Sequence, residues 1–246
     1  KVIAPGIAHA ETITAFHSAR FMEQPGCQNC ILDGNPLHAE QLEIMTMLGG
    51  ATALNVVIDE ARRISLINFG EVVESHLAAV DHVRAYAEVD VPERFPTVVT
   101  SAAGYPLDKT YYQTVKGMVG PLDILEPGGT LVIASACSEG MGSAEYVASQ
   151  RRLMDIGAEQ FLCDIKAKSH AAVDEWQTEM LLKPLRIGRV CLYTDGLSES
   201  EFELTGVTPA ASVTAAVAEA VATAGNSLVA VIPEGPYVVP RYRPES

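Results

Sequence analysis

Thr97-Val98-Val99-Thr100-Ser101-Ala102-Ala103-Gly104-Tyr105-Pro106-Leu107-Asp108-Lys109-Thr110-Tyr111-Tyr112-Gln113-Thr114-Val115-Lys116-Gly117-Met118 reads as a strand, a turn and a helix in immediate succession. The β-branched run Thr97–Ser101 favours a strand. Gly104 and Pro106 break it, and Asp108 stands where an N-cap is expected for a helix over 108–118. The alternation continues downstream: strand over 130–135, helices over 144–154 and 171–182, strand over 188–193, helix over 209–224, strand over 228–232. Strands separated by helices of ten or more residues cannot be hairpins and imply a largely parallel sheet with helices on both faces. The expected fold class is α/β, with two Rossmann-like domains.

Upstream, residues 10–22 carry a helical pattern that Pro25-Gly26 ends, and a second helix is expected over 37–48. The apolar runs 53–59 and 64–69 flank Glu60-Ala61-Arg62-Arg63 and suggest a hairpin. A long helix follows over 71–86. Val91-Pro92-Glu93-Arg94-Phe95-Pro96 has two prolines and no helical period, so it is the candidate linker. The expected division is residues 1–90, a second α/β domain over 97–230 that carries Tyr112, Gln113 and Lys116, and a segment 231–246 returning toward the first. No fixed-period repeat and no low-complexity tract interrupts this order.

At 246 residues the chain can bury a large core, about 70–75% of its unfolded surface. Its 17 Lys and Arg against 31 Asp and Glu give a formal charge of −14, so a phosphate backbone or an anionic membrane is repelled, and nucleic acid is not an expected partner. No apolar run reaches the ~20 residues of a bilayer span. Five cysteines without a secretory leader make no disulfide framework, and the expected location is the cytoplasm. The opening Lys1-Val2-Ile3-Ala4-Pro5-Gly6 reads as the end of a strand entering a turn, so a segment upstream is expected.

Tyr112 and Lys116 are four apart, and Gln113 and Lys116 three apart, so the three share a helix face near a strand's carboxyl end, where parallel sheets place ligands. A phenol, a carboxamide and an ammonium suit a small carboxylate. Spacing alone leaves open an amphipathic helix with a solvated Lys116. Gly140-Met141-Gly142-Ser143 lacks the third glycine of a dinucleotide loop, although a helix start there could still meet an anion. Cys27-Gln28-Asn29-Cys30 has no second CxxC and reads as a loop with two free thiols.

Several segments together resemble the nickel-dependent lactate racemase family, in its C-terminal portion: Lys1–Ala8, Glu11-Thr12, His17, Asp33-Gly34-Asn35-Pro36, Gly104–Asp108, Tyr112-Gln113, Val115–Met118, Cys137–Ser143, Trp176 and Pro233–Tyr237. The matches run in order and cover nearly the whole chain. The resemblance implies a racemase or epimerase of a 2-hydroxy acid, with a lactate-like acid as substrate and malate, a sugar acid, or a cofactor-free binding relative as alternatives. It implies a nickel pincer nucleotide, a pyridinium thioamide joined to a lysine that matches Lys1. His17 matches the nickel ligand; read alone it is one of six histidines and more simply a structural one.

By the same resemblance, the pincer takes hydride from the substrate's α-carbon and returns it to the opposite face while histidines move the hydroxyl proton. Those histidines and a substrate-binding arginine lie upstream of the lysine matching Lys1, so an upstream N-terminal segment of the same enzyme is the implied partner. Gln113 and Lys116 are expected to hold the substrate carboxylate, with Tyr112 lining the site. Trp176 is expected against cofactor or substrate; on its own it is equally an ordinary helix-packing residue. Residues 1–90 then form the C-terminal part of the cofactor-binding domain.

Overall fold

The computed structural model describes residues 3, 6–59 and 61–244. In chain order the elements are α1 (Ala10–Phe16), α2 (Ala19–Met22), α3 (Pro36–Met47), β1 (Thr52–Ile58), β2 (Ile64–Glu71), α4 (Val72–Ala87), β3 (Glu88–Val91), β4 (Phe95–Ser101), α5 (Tyr111–Val119), β5 (Leu125–Ala134), α6 (Ala144–Ile156), α7 (Ala158–Lys166), α8 (Glu175–Ile187), β6 (Arg189–Tyr193), α9 (Glu199–Phe202), β7 (Thr208–Pro209), α10 (Val213–Ala224), β8 (Val229–Ile232) and β9 (Val239–Tyr242).

The centre is a five-stranded sheet in the order β7-β6-β5-β4-β8, every neighbour parallel. Its strands alternate with period two. Val98, Leu131, Ile133, Val190 and Leu192 join the larger core with Val115 and Met118 of α5 and Leu181 and Leu182 of α8. Val99, Val132 and Cys191 turn to the opposite face, where Val213, Ala216 and Val217 of α10 cover them. Leu131, Val132 and Ile133 have no exposed surface, and each fully buried side chain of this size contributes roughly 1.5–3 kcal/mol. Close backbone approach sets the α8–β6 junction: a Cβ on Gly188 would stand 2.1 Å from the Gly129 carbonyl oxygen.

The parallel sheet stands as expected for the second unit. In the first, β1 and β2 pair antiparallel rather than in a largely parallel sheet, because the short 59–63 connection permits a hairpin and no crossover. β3 pairs in parallel with β9, and the Arg241 side chain donates to the Asn29 carbonyl. The expected linker is therefore partly strand, with 92–94 between β3 and β4. The helix expected over 10–22 is two helices broken at His17-Ser18, and α8 begins at Glu175 rather than 171, since Asp174 before it adopts φ 61°, ψ 0°. The N-cap of α5 is Thr110, whose hydroxyl accepts from Gln113 N. Asp108, expected in that role, instead accepts from the backbone N–H groups of Ala136 and Cys137.

The β1–β2 hairpin packs one face on α4, through the Asn55–Ser75 hydrogen bond (2.9 Å). Its other face presents Leu54 and Val56 across from Phe69 and Ile67, all four exposed. Phe69→Thr is expected to leave the melting transition unchanged within about 0.5 kcal/mol, as for an exposed site. It should also lower hydrophobic-dye fluorescence and self-association. Unchanged dye binding would show that this face is not the apolar surface in solution. Among the described residues no helix is long and apolar enough to cross a membrane.

Candidate active site

The site is built where the loops after β4 and β5 meet. Cys137 N donates to Asp108 O (2.7 Å), Glu139 N to Lys109 O (2.7 Å), Tyr111 N to Gly140 O and Tyr112 N to Met141 O (both 3.0 Å). With the Thr110 cap, these bonds satisfy the N–H groups of the first turn of α5, which have no intrahelical partner. Gly142, at φ +122°, lets the second loop close on Tyr112, since a Cβ there would lie 3.1 Å from the Tyr112 Cβ. Tyr112 is thereby fixed at the carboxyl ends of the central strands.

From Tyr112 a row of contacts runs both ways. Trp176 Nε1, from the first turn of α8, donates to the Tyr112 hydroxyl at 3.0 Å. The His17 ring lies 4.9 Å from the Trp176 ring, tilted 45°. Lys116 Nζ is 5.3 Å from the centroid of the Tyr112 ring, within cation–π range. Tyr146 meets the same ring edge-on at 5.2 Å. Burial raises the pKa of the Tyr112 phenol; the Trp176 N–H works against that rise, and the Asp174 carboxylate adds to it.

His17 owes its place to the break between α1 and α2. It caps α1, its Nδ1 lies 2.8 Å from the Ile13 carbonyl, and Ser18 Oγ donates to the Ala15 carbonyl at 2.8 Å. A carbonyl only accepts, so Nδ1 donates the hydrogen, which leaves Nε2 as the nitrogen through which the neutral ring would bind a metal. His17 and Ile3 line a cavity of about 1430 Å³, which also takes in Met22, Cys27, Met180 and Lys183. Tyr112 lines a smaller one of about 440 Å³ with Thr110, Glu139, Gly142, Ser143 and Asp174.

The structure thus joins His17, Trp176, Tyr112 and Lys116 of the residues expected from sequence. Gln113 stands beside Tyr112 on α5, half-buried, with its N–H held by the cap. Lys1 lies outside the described residues. Asp174 was not expected at the site, since it belongs to no pattern of spacing that would have singled it out; Ser143 lay in the loop weighed for an anion. The loop considered for an anion starts α6 with Ser143 capping it, and the Asp174 carboxylate, not an open cradle, stands opposite. Cys27 and Cys30 are free thiols, both raised in pKa chiefly by burial.

Fold and site together define an α/β protein of the parallel-sheet kind, with its candidate site at the carboxyl ends of the central strands. Residues 92–239 match the model of the lactate racemase C-terminal domain, and the chain belongs to that family. It is 29% identical over 242 residues to the lactate racemase of Thermoanaerobacterium thermosaccharolyticum, covering 98% of this chain and 57% of that one. It is 30% identical over 146 residues to the lactate racemase of Lactiplantibacillus plantarum, covering 59% of this chain and 34% of the relative. The solved lactate racemase apoprotein from T. thermosaccharolyticum superposes with a TM-score of 0.89 at 29% identity, over 97% of this chain and 57% of that chain. A crystal structure of a Thermotoga maritima protein (TM-score 0.55, 11% identity, 85% of this chain and 54% of that one) bears on the fold alone. The chain therefore spans little more than half the length of the first of these relatives.

Proposed function

We propose that this chain supplies the cofactor-holding and carboxylate-binding part of a racemase acting on lactate, with a nickel pincer nucleotide attached at Lys1. The observation that carries the reading is the contact row from His17 through Trp176 and Tyr112 to Lys116, formed within a chain of the lactate racemase family. His17 fits a nickel ligand: Nδ1 is occupied by the Ile13 carbonyl, so Nε2 is the nitrogen open to a metal, and the ring borders a cavity that exceeds the ~300–1,000 Å³ of ordinary ligand sites. Among the described residues no three His, Cys, Asp or Glu side chains gather to hold a metal by themselves. A metal at His17 is thus best matched by one whose other donors arrive with an organic ligand. Ile3, two positions from Lys1, borders the same cavity.

When bound, the pincer supplies the acceptor for hydride from the substrate's α-carbon. This chain's own residues then bind and orient. Lys116 Nζ offers the positive charge that a 2-hydroxy carboxylate needs against a net charge of −14, and Gln113 offers amide donors on the same helix. Tyr112 is held in place by the Trp176 N–H, and Trp176 presents a flat indole between His17 and Tyr112. The proton of the substrate hydroxyl is left to the histidines that the family resemblance places upstream, so turnover belongs to the complete enzyme.

Protein from a host that makes the cofactor is expected to carry about one nickel per chain and a mass increment on the Lys1 peptide. His17→Ala should lower nickel retention by at least about tenfold, while the Lys1 increment persists because that bond is covalent. Unmodified Lys1 and no nickel in the parent protein would overturn the reading.

A further inference from the structure

The indole N–H of Trp176 can only donate, so in the Trp176–Tyr112 bond the phenol oxygen accepts and the phenol hydrogen must go elsewhere. The Asp174 carboxylate borders the same small cavity as Tyr112, and its charge helps to raise the pKa of the phenol. Asp174 also accepts from Ser143 Oγ at 2.5 Å, and Ser143 in turn caps α6 by accepting from Tyr146 N at 3.0 Å. The backbone of Asp174 is left-handed at φ 61°, a conformation that Asp adopts more readily than most residues and that directs the chain into α8 two residues before Trp176. One carboxylate therefore joins the starts of α6 and α8 and borders the cavity that Tyr112 of α5 lines.

We propose that Asp174 is a positioning residue for the site: its carboxylate takes the Tyr112 hydrogen, turns the phenol lone pair toward the Trp176 N–H, and so fixes the indole that stands between Tyr112 and His17. The inference rests on the racemase reading for its catalytic consequence, though not for the hydrogen-bond row itself. Asp174 is no candidate for holding a substrate carboxylate, since like charges repel and a second acid, Glu139, borders the same cavity. Linked bonds of this kind polarise one another, so losing the terminal acceptor weakens the Tyr112–Trp176 bond as well.

Trp176 is the only tryptophan, and its emission reads this row without cofactor or turnover. Asp174→Ala should shift the emission and raise its quenching by acrylamide. Tyr112→Phe should give the same shift, and the double variant should add nothing further, as expected when two residues act through one network. Asp174→Asn, which keeps an acceptor and the backbone preference, should restore most of the parent emission. In Asp174→Asn the pH at which ionised Tyr112 quenches Trp176 should also move down, because the carboxylate charge that raises the phenol is gone. In the complete enzyme, Asp174→Ala should lower kcat by about 10-fold or more with KM little changed.

Unchanged emission and quenching in Asp174→Ala would overturn the proposal. If Asp174→Ala does not fold, the Asp174→Asn titration decides, and an unmoved midpoint overturns it. The expected emission changes in a protein whose complete form fails to racemise lactate would leave the positioning row standing and remove the proposed function instead.

Discussion

Lys116→Ala is expected to abolish measurable racemisation in the complete enzyme, a loss of at least about 10²–10³ in kcat/KM, the scale seen when one charge-stabilising donor is removed. The melting temperature should stay within a few degrees of the parent. Both halves follow from where Lys116 stands. Its side chain is exposed on α5, whose buried positions, Val115 and Met118 among them, make the core contacts instead. Its ammonium lies over the Tyr112 ring, at the carboxyl end of the sheet where an anionic substrate is expected, in a protein whose overall charge repels anions. Lys116→Arg keeps the charge but replaces a compact ammonium by a broader planar group, so partial activity with a raised KM is expected. Chiral chromatography of lactate from both enantiomers, beside thermal melts, measures each quantity. Full turnover in Lys116→Ala would remove Lys116 from the site.

The central sheet and the Tyr112–Lys116 pair were legible in the sequence for the same reason: both are periodic. Buried strands such as 130–134 write a continuous apolar run, and an i, i+4 pair on a helix is a statement about one face. What escaped was set by single hydrogen bonds or by long-range pairing. At the break, the His17 and Ser18 side chains add hydrogen bonds to the Ile13 and Ala15 carbonyls, a local feature that no hydrophobic period records. β3 and β9 are four residues each, and their partners lie about 150 positions apart in the chain, so neither strand has a local signature. The Trp176–Tyr112 bond spans 64 positions. His17 and Trp176 were reached through family resemblance, and their contact became visible only once α1 was seen against α8.

That contact rests on a second junction whose titration gives the other large effect, and Glu179→Gln is expected to stabilise the protein at pH 7–9 while making little difference near pH 4. Glu179 lies on α8 with no exposed surface, and its oxygens have no hydrogen-bond partner of ordinary geometry. Around it stand Glu23 at the end of α2, Lys183 at 3.9 Å, Arg186 and Cys27. Burial works against ionising Glu23 too, but Arg186, which holds it at 2.9 and 3.0 Å, keeps its pKa low. The proton therefore sits on Glu179, whose pKa rises to about 8, first from burial and then from the Glu23 carboxylate. Above an unfolded value of 4.5 and below about 8, the unfolded chain has lost this proton and the folded chain keeps it. Raising the pH then favours unfolding by about 1.4 kcal/mol per unit, or on the order of 3 kcal/mol by pH 7, and the slope ends above the folded pKa. Gln carries no such proton, so the variant's thermal melts should lose that decline across pH 5–8. Parallel pH profiles for parent and variant would show that Glu179 does not titrate in this window. The same groups clamp α2 to α8, with Lys183 Nζ donating to the Met22 carbonyl. A parent protein taken from about pH 6 to about pH 9 should therefore loosen His17 from Trp176, and Glu179→Gln should hold the emission of Trp176 steady over that range, which lies below the ionisation of Tyr112.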